Sequence, residues 1–176
     1  MDKAVVLGFA ALGWLILASC GDSMGPSTNA NAACTITITG ATAIAGAYTC
    51  SQTPVTIWVP STNVGATSVN ISGSTSITGL FVFSGAPTAG TTYTSANSAG
   101  LQSYGIIVTV GSAKWEFSAG QQLAPLGSGS LTFTTVAQAT SGTTGATYTT
   151  HGTIDASLVP SPGTTASGNA TMRIVF

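Results

Sequence analysis

Apolar and polar residues alternate along most of the chain after residue 33. In TITIT, Ile36 and Ile38 fall on one face and the threonines on the other, and in KWEF, Trp115 and Phe117 share a face. Successive side chains of a β-strand point to opposite faces, so this alternation predicts strands with one face in the core. No segment after residue 33 keeps the longer period of an amphipathic helix.

Three runs are apolar without alternation: VTIWV from Val55, LFVF from Leu80 and GIIVTV from Gly105. Such runs predict strands that are covered on both faces. Clusters of Gly, Pro, Asn and Ser separate the predicted strands at intervals of roughly 8 to 15 residues, which is typical of all-β proteins. We therefore predict one all-β domain over residues 34–176, an antiparallel β-sandwich of immunoglobulin-like or related type.

The last two alternating runs, GTIDASL and TMRIVF, predict a C-terminal hairpin across VPSPGTTASG. If Val159 pairs with Asn169, the same register places Asp155 opposite Arg173. An exposed ion pair of this kind contributes about 0.2 to 1 kcal/mol to stability. We expect it to set the register and to discourage edge-to-edge aggregation of a sheet that carries few charges.

The first 33 residues follow a different pattern. Lys3 precedes an apolar run from Ala4 to Leu17, which is followed by the small residues Ala18 and Ser19. This layout predicts a secretory signal helix over residues 1–19, and the run is shorter than the roughly 20 residues of a membrane-spanning helix. Residues 20–33 lack periodicity and are rich in Ser, Asn, Gly and Ala, so we predict a flexible tether that spans roughly 20 Å.

Leu17-Ala18-Ser19-Cys20 resembles the lipobox of bacterial lipoproteins, in which the signal peptide is cut before the cysteine and the cysteine is acylated. The resemblance implies that Cys20 carries lipid and anchors the chain to the cell envelope. Gly21 follows the cysteine, where an aspartate would imply retention at the inner membrane, so the resemblance implies the outer membrane. Two or more acyl chains give a stable anchor, whereas one gives only reversible binding.

With Cys20 assigned to lipid, Cys34 and Cys50 remain as a pair in an exported protein. An oxidising compartment favours a disulfide between them, and the sequence between them predicts a hairpin that would bring them together. Closing a loop of about 15 residues stabilises the fold by roughly 3 kcal/mol. The chain has no C-x-x-C motif, which argues against redox catalysis.

Charged residues make up only 4% of the chain, against about 25% in a typical soluble domain. The 30 Thr and 21 Ser supply the polar surface instead. Three basic residues in all cannot form a basic patch, so we expect no nucleic-acid partner. The four acidic residues are too few to predict a metal site, and no motif predicts a cofactor.

Gly21–Gly25 fits the G-x-S-x-G motif of serine hydrolases around Ser23. That motif requires a strand before the serine, a helix after it, and a histidine and an acid elsewhere. Ser23 lies in the predicted tether with neither element beside it. The start GDS is also found in another esterase family, which needs a late Asp-x-x-His, but Tyr148 stands three residues before His151. We therefore predict no catalytic residue.

Aromatic side chains remain as candidates for recognition. Trp58 and Tyr104 are candidates for a platform on which a sugar ring could stack, with core packing as the alternative. His151 and Asp155 lie four residues apart on one strand face, so we do not expect them to pair directly. A cleft containing both residues and a serine would favour a hydrolase.

The segments HGTIDASLVP and TMRIVF resemble those of small Ser/Thr/Gly-rich β-sandwich lipoproteins of unknown function, of the myxobacterial type. The likeness covers the last third of the chain and implies no catalytic residues. We therefore expect a lipid-anchored, non-enzymatic envelope domain that binds a protein or glycan partner or contributes to the envelope. An envelope hydrolase whose site the sequence does not reveal is the alternative.

Overall fold

A computed structural model of the chain describes residues 34–50, 52–94, 101–120, 123–142 and 144–176. The predicted signal peptide, the predicted lipid site at Cys20 and the tether with Ser23 all lie outside these residues. Within the described ranges, the structure holds no helix with the length and apolar character needed to cross a membrane.

The described residues form twelve strands that belong to one hydrogen-bonded, antiparallel sheet, which confirms the all-β prediction. In chain order the strands are β1 (Cys34–Gly40), β2 (Gly46–Cys50), β3 (Val55–Val59), β4 (Val64–Ile71), β5 (Thr75–Ser84), β6 (Thr92–Thr94), β7 (Leu101–Val110), β8 (Ala113–Gly120), β9 (Leu123–Leu126), β10 (Ser128–Ser141), β11 (Ala146–Pro160) and β12 (Ala170–Val175).

The strand β11 connects two parts of the sheet, which are β2-β1-β12 and β3-β4-β5-β7-β8-β9 in the strand order. It can do so because it is 15 residues long and has different neighbours along its length. Its first residues, Ala146 to Tyr148, pair with β3, and its later residues pair with β12. At its end, Val159 and Pro160 pair with β8. The strand order is β2-β1-β12-β11-β3-β4-β5-β7-β8-β9, and the pairing of β8 with β11 closes the part of this order that runs from β11 to β8. The strand β10 also pairs with β11, and β6 pairs with β10.

The core is one cluster that draws on both parts of the sheet. The ring of Phe83 on β5 lies 4.7 Å from that of Tyr93 on β6 and 5.6 Å from that of Phe133 on β10. Because β5 pairs with neither β6 nor β10, these contacts show that the sheet folds over and brings its inner faces together.

The two predicted hairpins are present. Cys34 lies directly opposite Cys50, with their Cα atoms 5.0 Å apart, and a disulfide joins them. In the C-terminal hairpin, Asp155 lies opposite Arg173, so the predicted register is confirmed.

The predicted core position of Trp115 is also confirmed. Trp115 is 1% exposed and Phe117 is fully buried. The indole Nε1 of Trp115 donates a hydrogen bond to the carbonyl oxygen of Gly168 over 2.9 Å. This contact satisfies the polar atom that burial of the ring removes from water.

Two of the three continuous apolar runs differ from the prediction. In LFVF, Val82 is 3% exposed, as expected for a strand covered on both faces. In VTIWV and GIIVTV, however, Val55 is 49% exposed and Ile107 is 42% exposed. An apolar run shows that a strand has apolar side chains on both faces, but it does not specify whether other parts of the chain cover both faces.

Three threonines form a polar cluster inside the fold. Thr56 on β3, Thr67 on β4 and Thr150 on β11 are fully buried. The Oγ1 atom of Thr56 is hydrogen-bonded to the Oγ1 atoms of Thr67 and Thr150, each over 2.9 Å. The cluster satisfies the buried hydroxyls at the junction where β11 pairs with β3.

Candidate functional site

An open groove of about 690 Å³ crosses the outer face of four neighbouring strands, β10, β11, β12 and β1. We call its polar lining the hydroxyl face. Its members are Thr37 and Thr39 on β1, Thr171 and Arg173 on β12, Asp155 and Ser157 on β11, and Ser128 and Ser130 on β10. Six of these eight residues are threonine or serine, and the other two carry opposite charges.

Alternation along each strand produces this face. On β1, Ile36 and Ile38 are buried while Thr37 is exposed, and on β12, Met172 and Ile174 are buried while Arg173 is exposed. Burial of the apolar side chains therefore turns every intervening polar side chain outward. The same pattern on four adjacent strands gives a continuous polar surface.

The register of the strands aligns the side chains across the groove. Thr37 lies opposite Arg173, Arg173 opposite Asp155, and Asp155 opposite Ser130. Neighbouring strands lie about 4.8 Å apart, and residues two apart along a strand are separated by about 6.6 to 6.8 Å. The hydroxyl face is thus a regular array of two rows of four polar side chains, and the two charged side chains lie at the centre of one row.

The charged pair in this row is open to a ligand. Arg173 Nη1 lies 3.7 Å from Asp155 Oδ1, and the side chains are 61% and 50% exposed. This separation is longer than the roughly 2.7 to 2.9 Å of a charge-assisted hydrogen bond. The guanidinium group therefore keeps donors, and the carboxylate keeps acceptors, for hydrogen bonds to another molecule.

Cross-strand hydrogen bonds hold some of the threonines in place. Thr39 Oγ1 lies 2.8 Å from Thr171 Oγ1 at one end of the groove. On the same outer surface, Thr92 Oγ1 lies 2.9 Å from Thr132 Oγ1. Threonine is β-branched and has few χ1 rotamers, so these hydroxyls lose little freedom when a ligand binds them.

The structure does not bring Trp58 and Tyr104 together. They lie on β3 and β7, which are separated by β4 and β5. Tyr104 is 8% exposed and its ring lies 4.9 Å from that of Phe117, so it packs into the core and leaves no open face for stacking. Trp58 is half-buried, and its Nε1 donates no hydrogen bond within the described chain. A ligand-binding role for Trp58 stays a prediction.

His151 is exposed on β11, opposite Thr135 on β10. Four residues of strand separate it from Asp155, a distance of about 13 Å along the chain. His151 does not line the groove. The described residues also contain no group of three or more His, Cys, Asp or Glu side chains that could hold a metal ion.

The sequence pattern predicted Asp155 and Arg173 as a register pair, but it did not predict Thr37, Ser130 or Ser157 as site residues. The alternation in TITIT was the available signal, since it placed Thr37 on an outer face. The sequence pattern did not predict the order of strands, in which β1 and β10 lie on either side of the β11–β12 hairpin. No family model, curated protein or solved structure matches this chain.

Proposed function

We propose that this chain is a lipid-anchored domain of the bacterial cell envelope, at the outer membrane, and that its hydroxyl face binds a neutral glycan. The domain is a β-sandwich of immunoglobulin-like or related type and is not an enzyme. The observation that carries the binding proposal is the row of Thr37, Arg173, Asp155 and Ser130 across an open groove of about 690 Å³.

The chemistry of this row suits a polyhydroxylated ligand. Every sugar hydroxyl can both donate and accept a hydrogen bond, so it can accept from Arg173 and donate to Asp155. Threonine and serine hydroxyls on either side can do the same with further sugar hydroxyls. The two charges cancel, so the groove has no net charge that would attract a charged polymer over a neutral one.

A protein partner is the other binding candidate, and an envelope hydrolase is the enzymatic alternative. The hydrolase is less well supported because His151, the only histidine of the chain, is exposed and lies about 13 Å along β11 from Asp155. The glycan proposal uses side chains that already converge on one groove.

The binding proposal is tested on a glycan array with the chain from residue 20 onward, carrying Cys20→Ser. The described residues from Cys34 onward form one compact unit with its own core, so this form retains the folded domain. Arg173→Ala and Asp155→Ala should each weaken binding about tenfold or more, since hydrogen bonds to charged groups are worth roughly 1.5 to 3 kcal/mol. His151→Ala is the matched control on β11. Equal binding by all three variants would rule out the hydroxyl face.

The anchor is tested separately in cells that express the full-length chain and receive a palmitate analogue. Cys20→Ser should abolish labelling, because we propose that the lipid is attached to the sulfur and to the new amino group of this cysteine. The Cys34→Ser/Cys50→Ser double variant should still be labelled. Persistent labelling of Cys20→Ser would contradict the anchor and would leave the glycan proposal unaffected.

A further inference from the structure

A second outer face of the sheet lies on β3, β4, β5 and β7, and it carries aliphatic side chains, in contrast to the polar hydroxyl face. We call it the aliphatic face after its Val, Ile and Leu side chains, which are Val55, Ile57 and Val59 on β3, Val64 on β4, Leu80 on β5 and Ile107 on β7. Ser68, Thr78 and Ser103 lie between them on the same side of the sheet. Val55 is 49% exposed and Ile107 is 42% exposed. The inner side of the same strands already packs in the core, through residues such as Phe81.

The register brings the β3 and β4 members of this face together, whereas Val55 lies opposite Ser68 and Ile107 lies opposite Thr78. Val59 lies opposite Val64, and Ile57 lies opposite Ala66, which in turn lies opposite Val82. Ala66 and Val82 are buried between the more exposed members of the face. Contiguous apolar surfaces that reach solvent are typical of sites where another molecule docks.

We infer that the aliphatic face docks against the same face of a second copy of this chain. The charged residues beside it point to this partner. Lys114 and Glu116 lie two apart on the outer side of β8, with Glu116 directly opposite Ile107 and Lys114 opposite Thr109. The rim therefore carries one positive and one negative group.

Such a rim is complementary to itself. In a dimer with two-fold symmetry the same patch meets on both subunits, so Lys114 of each copy can face Glu116 of the other. A rim with one sign of charge would instead favour a partner of the opposite sign. The aliphatic face carries Val, Ile and Leu side chains, which interdigitate well when two sheets pack face to face about 10 Å apart.

A lipid surface fits this face less well. Amphipathic helices that lie on membranes carry Trp, Phe or Leu on one face and several Lys or Arg side chains on the other. The aliphatic face has no aromatic member, and the tryptophan of β3, Trp58, alternates with Ile57 and Val59 and belongs to the inner side. Lys114 is the one basic side chain among the described residues of this outer side, and Glu116 offsets it.

The test is sedimentation equilibrium on the chain from residue 20 onward with Cys20→Ser, over a wide range of protein concentration. The wild-type domain should have the mass of two chains. Val55→Lys and Ile107→Lys should each raise the dimer dissociation constant about tenfold or more, because each buries two unpaired charges in the interface. Val175→Lys is the matched control, since Val175 is 45% exposed and lies on the outer side of β12.

Charge exchange at the rim keeps the inference falsifiable if a lysine variant fails to fold. Lys114→Glu should weaken the dimer, and the double variant Lys114→Glu/Glu116→Lys should restore it, because the pair is then reversed on both copies. A monomeric wild type at every concentration would overturn the inference. So would equal loss of the dimer in Val175→Lys, or binding to neutral phosphatidylcholine vesicles that Val55→Lys abolishes.

Discussion

Asp155 on β11 lies directly opposite Arg173 on β12, with Arg173 Nη1 3.7 Å from Asp155 Oδ1. Both side chains are at least half exposed, so water screens their attraction. The pair therefore contributes little to stability, and its position in the groove is its more important property.

The first prediction separates the stability of this pair from its binding role. Asp155→Ala and Arg173→Ala should each lower the free energy of unfolding by less than about 1 kcal/mol. A double-mutant cycle in urea denaturation should give a coupling of about 0.2 to 1 kcal/mol. A coupling several times larger would show that the pair holds the fold together, and loss of glycan binding would then report unfolding instead of lost contacts.

The second prediction concerns the disulfide between Cys34 and Cys50, which are 2% and 3% exposed. Replacing both residues by alanine should lower the free energy of unfolding by about 3 kcal/mol, because the unfolded chain regains the freedom of a loop of about 15 residues. Chemical denaturation measures the change. Cys20→Ser is the control and should leave the midpoint unchanged, and an equal loss in that variant would contradict a pairing confined to the β1–β2 hairpin.

The third prediction concerns the buried threonine cluster. Thr56→Val should destabilise the domain by about 1 to 3 kcal/mol, because it leaves the hydroxyls of Thr67 and Thr150 without their common partner. The triple replacement of Thr56, Thr67 and Thr150 by valine should lower the free energy of unfolding by less than the three single valine replacements do in sum. In the triple variant no buried hydroxyl of the cluster is left without a partner. Thermal unfolding of the four variants checks this, and strictly additive losses would show that the three hydroxyls act independently.

The fourth prediction concerns pH. Tyr93 is 6% exposed, and burial raises the pKa of its hydroxyl above the usual value of 10.0. The folded state holds the phenol neutral, so the unfolded chain loses this proton first as the pH rises. The stability that depends on neutral Tyr93 is therefore present below about pH 10 and is lost as the pH rises from there towards the folded pKa.

Tyr93→Phe should make the free energy of unfolding less dependent on pH above about pH 10. Urea denaturation at a series of alkaline pH values measures this dependence. Tyr148→Phe is the matched control, because Tyr148 is only half-buried on β11. An unchanged alkaline loss of stability in Tyr93→Phe would show that another group controls it.

Local patterns predicted much of the fold. The alternation in TITIT and KWEF placed Ile36 and Trp115 in the core, where the structure has them. The pairing of Asp155 with Arg173 followed from one hairpin connection, since a hairpin transmits its register along both strands. These successes depend on residues that are near one another in sequence.

The candidate site depended on contacts that are distant in sequence. Tyr104 was a candidate for an exposed ligand platform because it is aromatic, but the structure places it opposite Phe81 on the inner side of the sheet. Conversely, Val55 lies in an apolar run that predicted burial and is half exposed. Period-two patterns identify the two faces of a strand, and only the neighbouring elements decide which face is covered.

Local alternation and short connections specify which segments become strands, which side chains share a face and which cysteines can close the first hairpin, so the amino-acid sequence alone predicts these features. The positions of β1 and β10 on either side of the β11–β12 hairpin follow instead from the folding of the whole chain. That order brings Thr37 and Ser130 into one row with Asp155 and Arg173. A strand's own pattern specifies which of its faces is buried, whereas the strands beside it depend on the packing of the whole sheet.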